Sequence, residues 1–498
     1  QNVSSRAARI TRNQVNVNGG TSGIVLDTVN GPGLFSVTGT GNVNGSGGTI
    51  QNNSTSGITI MSTNNVTLNN MNFTNSANES AGCVAGVSGV TGTCHAAVEL
   101  LSANNITINN TTIDGNGDAS DELGIFAQNV SNFDMDGVTV QNVSDAQNEH
   151  GIYVINLTGT GAQASRWQDL TVNNIIGDTS ILMVQSAGTG NLTIDGESTL
   201  SGAPEGGFEA RTTGPTANLT VTIGDASAVN SGETVLIENT NIGAFFAAEN
   251  GTLVGNIRNS IIQPGGGTMF VALSGQSNAT GDVTLNTTGN LITQDDGGFG
   301  GTGRSGVAIG GSGRASGDVN NNTIGSNDEF INGVFSNFTG TGTINNNIIN
   351  VGNNTIDMSG SGGNETIVGI QYRASNSAGG LSMNITNNTI DSAGDNSFSG
   401  GIVSLSGNQT GTHNNTLCND IVSNDVSAPA AIGGSDDYVF VAFTGTDNQL
   451  ENSQLGALTE AHIDTHIIGN DAGITTAGDV FVYPVGSGTF TGITNCPQ

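Results

Sequence analysis

Two short stretches carry the side chains best suited to chemistry. In "IDGNGDASDE", Asp114, Asn116 and Asp118 follow one another at i, i+2 and i+4, with Asp121 and Glu122 close behind. Hard oxygen donors at that spacing suit Ca²⁺. The tract departs from the EF-hand pattern, since Ala119 stands at its sixth position and Ile125 at its twelfth, so an acidic bend is the competing reading. In "HIDTH", His462, Asp464 and His466 would face one side of a strand, and on a helix the two histidines would lie one turn apart. That geometry suits a transition metal. A further ligand is not evident nearby, so polar surface is the alternative.

Other reactive types are sparse. Asp295 and Asp296 in "TQDDGG" sit in a glycine-rich stretch, where a solvated turn outweighs an acid/base pair. His150 in "EHGIYV" reads as part of a repeated line, and Trp167, the sole tryptophan, as a strand residue packed under a loop. Cys83 and Cys94 bracket "GCVAGVSGVTGTCH", while Cys418 and Cys496 form a second pair near the C-terminus. Two disulfides would place the protein outside the reducing cytosol; buried free thiols are the alternative.

These residues need elements to position them, and composition limits the choice. Of 498 residues 77 are Gly, and only 4% are aromatic, which leaves little for a thick core. Yet 35% are hydrophobic and fall in short β-branched runs, which argues against disorder. The 41 acidic residues outnumber nine basic ones, all Arg, for a net charge of −32. That balance excludes nucleic acid and anionic membrane surfaces as partners, since both demand basic patches. Arg6, Arg9 and Arg12 form a local basic start, read either as a solvated edge or as a docking surface for an acidic neighbour. No apolar run is long enough to insert into a membrane. The chain starts at Gln1 without Met or a signal-peptide pattern, which reads as a processed product or a part of something longer.

Two kinds of line alternate along the chain. One reads "NNVTLNN", "NNITINN", "GNLTIDG", "SMNITNNTI"; the other reads "SGIVLD", "HGIYVI", "GGFEAR", "SGVAIG", "VGIQYR". Apolar residues alternate with Thr, Asn or Ser, which is the period of a strand. Asn and Gly punctuate the lines and tolerate left-handed backbone at sharp bends. "ALTEAHIDTH" is the one short helical candidate. Strands so short and regularly spaced can wind as successive faces of a coil, with Asn ladders at the bends.

On the phrases "GGTIQN", "SGITI" followed by "NNVTLNNMNF", and "EHGIYV", the chain from about Gly19 to Asp420 resembles the right-handed parallel β-helix superfamily of pectate-lyase-like solenoids. The resemblance implies a secreted or surface-displayed bacterial protein. Polygalacturonase-like members carry a Gly-His-Gly and an Arg-x-Lys after their Asp motifs; this chain has neither. Lyase-like members pair an acidic Ca²⁺ cluster with a basic residue, for which Arg166, Arg211, Arg258, Arg304, Arg314 and Arg373 are the body's candidates.

The expectation is therefore an all-β, right-handed parallel β-helix of roughly 12 to 15 coils: a basic edge over 1–18, the helix over 19–424, and terminal coils with a C-terminal cap over 425–498. The expected function is a non-enzymatic extracellular stalk or adhesive segment, or a subunit that self-associates end to end through Arg6, Arg9 and Arg12. Calcium is the one expected cofactor; neighbouring domains and glycans are further expected partners. A polysaccharide lyase or hydrolase is the alternative, and a trimeric phage tailspike the third reading.

Overall fold

A computed structural model describes residues 9–29, 34–76, 84–86, 88–91, 94–115, 123–143, 149–225, 234–265, 271–293, 305–325, 332–339, 347–358, 368–375, 380–391, 400–407, 416–427, 436–442, 446–451, 456–470, 480–484 and 487–496. The chain divides into two compact units, Gln1–Phe245 and Phe246–Gln498. Each is an all-β parallel β-helix in which three strands per coil build three faces. The apolar lines make the first face, the Asn/Thr lines the second, and three-residue strands such as Thr112–Asp114 the third.

Alternation places every second residue inward, and parallel register stacks like on like. In the first unit the first face carries an inward column Ile24, Ile58, Val98, Ile125, Ile152, Ile181 and Phe208. The second face stacks Val37, Leu68, Ile108, Met135, Trp167 and Ile194. The third stacks Ile50, Phe73, Ile113, Val140, Val172, Leu200 and Ile237. Burying one such side chain stabilises by about 1.5–3 kcal/mol, so thin coils suffice when stacked. Trp167 belongs to this core rather than lying under a loop: it is fully buried and its Nε1–H donates to the Phe133 carbonyl at 3.1 Å.

Asparagine earns its place at the bends between the second and third faces. Asn70, Asn110, Asn321, Asn353 and Asn387 all hold positive φ, a conformation Asn tolerates better than other non-glycine residues. In the second unit the next residue at each bend is buried, and Asn290, Asn322, Asn354, Asn388 and Asn424 form an internal ladder. Each Oδ1 from Asn322 onward accepts both the backbone N–H and the Nδ2–H of the asparagine one coil earlier, at 2.9–3.1 Å. Outer ladders repeat the device, as where Asn384 donates to Asn350 and Asn350 to Asp318, both at 2.6 Å.

The glycine that opens most of the apolar lines has a different cause. A Cβ on Gly124, Gly207, Gly333 or Gly369 would lie 2.3–2.5 Å from a β-branched methyl of the third face, respectively Val140, Ile237, Ile356 and Ile390. First and third faces meet too closely there for a side chain.

After the third-face strand Asp425–Ser427 other elements join the described strands. The short helical candidate is α1 (Glu460–Asn470), which buries Ile463 and Ile467 and packs against strands Thr416–Val422 and Val480–Pro484. Gly456–Ala457 pairs antiparallel with Thr489–Ile493, covering the side of that strand opposite Asp447–Glu451. Cys418 and Cys496 form a disulfide across 78 residues.

Candidate functional site on the outer face of the first unit

Outward residues of the first face also stack in columns. Phe126, Tyr153, Leu182 and Glu209 form one; Ile155, Val184 and Arg211 form the next. The early members are apolar, and with Ala85, Cys94, Ala96 and Leu123 they make a cluster that is buried although several of its members sit on the outer face. A hairpin inserted between coils, Val84–Gly86 with Gly89–Thr91, contributes Ala85 to it.

His150 and Tyr153 pin that hairpin. The His150 Nε2 hydrogen bonds to the Ala85 carbonyl at 2.8 Å, the Tyr153 hydroxyl donates to the Gly86 carbonyl at 2.7 Å, and the Thr179 N–H points at His150 Nδ1 at 3.3 Å. Those partners assign the proton to Nε2. Burial pushes the His150 pKa down, against the opposing pull of the Asp178 and Glu209 carboxylates; among the described residues the Tyr153 ring also lies beside it and Glu149 precedes it in the chain. A histidine whose folded pKa is lowered binds fewer protons in the native state, so its contribution to stability is complete above the ordinary value of 6.5 and is lost as pH falls below it. Hydrogen exchange at residues 84–91, corrected for intrinsic rates, is therefore expected to lose protection below about pH 6.5. A His150→Gln variant should lose the dependence, and a pH-independent wild type would refute the latch.

Where the apolar column ends, a cleft of about 140 Å³ opens, lined by Glu205, Gly206, Phe208, Glu209, Arg211, Ile242 and Phe245. Glu209 and Arg211 are two apart on one strand, hence on one face, and form an ion pair. The Arg211 guanidinium also lies over the Phe245 ring, 5.1 Å from its centroid. Glu205 ends the bend before the strand; burial first, then the Asp178 and Glu209 carboxylates, raise its pKa. The cleft thus sets a carboxyl that holds its proton more readily than usual beside an ion-paired carboxylate and an aromatic ring.

Of the residues singled out by spacing, few meet there. Arg211 does, and His150 is close enough to Glu209 to feel its charge. Asp114 lies on the third face, its two oxygens accepting from Gln141 and Asn142 at 2.9 Å each; Asn116, Asp118, Asp121 and Glu122 lie outside the described residues. His462, Asp464 and His466 are on α1, where the Thr459 N–H points at His462 Nδ1 at 3.3 Å. Burial lowers the His466 pKa and, with Glu460, raises that of Asp464. Among the described residues no group of three His, Cys, Asp or Glu side chains is placed to hold a metal.

Arg166 pairs with Asp195 at 2.8 Å and Arg314 with Asp282 at 2.8 Å, while Arg373 donates to the Gly407 carbonyl. Arg9 and Arg12 are exposed; Arg6, Arg304, Asp295 and Asp296 lie outside the described residues. Cys94 is buried and disulfide-bonded, and Cys83, its expected partner, also lies outside them. Glu205, Glu209 and Phe245 were missed in the sequence. The signal was register: Phe245 follows "GGFEAR" one coil later and lines the cleft with Glu209.

Fold and cleft together define a parallel β-solenoid with a small polar-aromatic site on its outer surface. No protein-family model matches the chain, and no curated protein matches it. Among the described residues no helix is long and apolar enough to cross a membrane.

Proposed function

We propose that the chain is an adhesive segment of an extracellular β-solenoid that holds a glycan against the outer-face cleft. The observation that carries this reading is the cleft itself, in which an aromatic ring, a guanidinium fixed over it and two carboxylic side chains converge. Aromatic faces accept the apolar side of a sugar, while carboxylates and guanidinium groups take its hydroxyls. The disulfides and the acidic surface support an extracellular location.

The test is binding of the purified chain to an array of glycans, with Phe245→Ala and Glu205→Gln alongside. Selective binding that falls at least about tenfold in Phe245→Ala supports the reading, a loss in line with removing one aromatic contact. A wild type that binds no glycan, or a Phe245→Ala variant that binds like wild type, refutes it.

One observation favours a second reading, glycoside hydrolysis. Glu205 is displaced toward the protonated form beside the ion-paired Glu209, and environments that differ in this way separate a general acid from its partner carboxylate. Released reducing ends that vanish in Glu205→Gln while binding persists would select the enzyme over the adhesin.

A further inference from the structure

The outer side of the first face in the second unit is notched. Register stacks Ser274, Ala308 and Phe335 in one outward column and Gln276, Gly310 and Asn337 in the next. In both columns the middle coil is nearly bare, since Ala308 offers a methyl group and Gly310 nothing. Side chains therefore rise only from the coils on either side, which stand two strand spacings apart, about 9.5 Å. The gap is a cavity of about 220 Å³ that these six residues help to line. A drug-sized ligand needs roughly 300–1,000 Å³, so this slot has room for about one ring. Its floor must stay bare: a Cβ on Gly310 would lie 2.2 Å from the Asn337 carbonyl oxygen.

The walls show what chemistry belongs there. Ser274 is 1% exposed, and its Oγ has no hydrogen-bond partner among the described residues. A buried hydroxyl in that state costs stability until something pairs with it. Across the slot, Asn337 Oδ1 accepts from Ser375 Oγ at 2.9 Å, which leaves Nδ2 as the donor its amide can offer. Phe335 is half-buried and supplies an aromatic wall, and Gln276 adds an exposed carboxamide. None of the described lining residues is charged. Arg373, next in the Asn337 column, donates to the Gly407 carbonyl at 3.2 Å.

We propose that this slot binds one uncharged sugar ring, its apolar side on Phe335 and its hydroxyls on Ser274 Oγ, Asn337 Nδ2 and the Gln276 amide. Aromatic walls with a few neutral polar groups suit such an amphipathic ring. A purely apolar ligand would leave the Ser274 hydroxyl unsatisfied, and an ionised one would lose water without gaining a counter-charge. The slot goes beyond the charged cleft of the first unit and does not rest on it.

Saturation-transfer NMR on the intact chain tests this with glucose, galactose and N-acetylglucosamine, and with galacturonate as the charged control. At least one neutral sugar should bind with a Kd below about 10 mM, and galacturonate at least about tenfold more weakly. Ala308→Leu, which fills the floor from the solvent side, should abolish binding while native strand content persists. Ser274→Ala is the second variant. It should weaken binding at least about fivefold, the equivalent of one hydrogen bond, and raise the thermal midpoint of the free chain, because the orphaned hydroxyl is gone. Phe245→Ala, altered in the first unit's cleft, should bind the same sugar unchanged; loss of binding there would mean that the sugar was held in that cleft, and would overturn the slot. Absence of any neutral-sugar binding, galacturonate binding as well as the neutral sugars, or a folded Ala308→Leu chain that still binds would overturn it too.

Discussion

Asn354→Ala is expected to lower the stability of the second unit by about 3–5 kcal/mol, well above the usual effect of a side-chain truncation. Asn354 Oδ1 accepts from the Asn322 backbone N–H at 2.9 Å and from its Nδ2 at 3.1 Å. Its own Nδ2 donates to the Val319 carbonyl at 2.7 Å and to Asn388 Oδ1 at 2.9 Å. Alanine leaves the Asn322 N–H and the Val319 carbonyl buried without these partners, and each such orphan costs about 1–3 kcal/mol. The neighbouring Thr355 is exposed, so Thr355→Ala should change stability by no more than about 0.5 kcal/mol. Urea unfolding, with hydrogen exchange at 319–324 and 385–390, would measure both. A loss under about 1 kcal/mol for Asn354→Ala would mean the ladder is decoration rather than a brace.

Gly333→Ala should destabilise by about 2–3 kcal/mol, although alanine is the mildest of substitutions by size. The added Cβ would lie 2.5 Å from Ile356 Cγ2 and 2.7 Å from the Gly369 carbonyl oxygen. The glycine is required by proximity, not by conformation. Ala97 and Ser180 stand in the same column in the first unit, so a coil can be built around a Cβ; at Gly333 the isoleucine is already in its place. Pairing Gly333→Ala with Ile356→Ala should therefore recover part of the loss in a double-mutant cycle, the carbonyl contact accounting for the remainder. Strict additivity of the two substitutions would show that the clash is not the cause.

Much of this architecture was legible because solenoids write their register into the chain. The alternation in "NNVTLNNMNF" places Val66, Leu68 and then Met71 inward, and the structure buries all three. The Asn bends were legible for the same reason, since few residues accept that backbone. What single lines could not convey is the distance between faces. The glycine of "SGIVLD", "HGIYVI" and "NGVFSN" is visible in the sequence, but its cause, a methyl one face away, appears only when the coil closes. The cleft was harder still, because Glu205, Arg211 and Phe245 come from two coils and gain meaning only from stacking. Arg211 was one arginine among six candidates until Phe245 came to lie beneath it.

The ladder also bears on how the protein ages. Asparagine side chains are lost over time when the backbone nitrogen of the following residue attacks the side-chain carbonyl and closes a succinimide ring. In the second unit that nitrogen is tied: Thr323, Thr355 and Thr389 donate their N–H to the carbonyls of Asn290, Asn322 and Asn354, and the amides under attack are held on both sides. A succinimide can then form only while a coil is open. The rate at which these buried asparagines convert to aspartate thus becomes a clock of how often the solenoid breathes, and a chain rich in the most perishable of side chains keeps those at its centre out of reach of that decay.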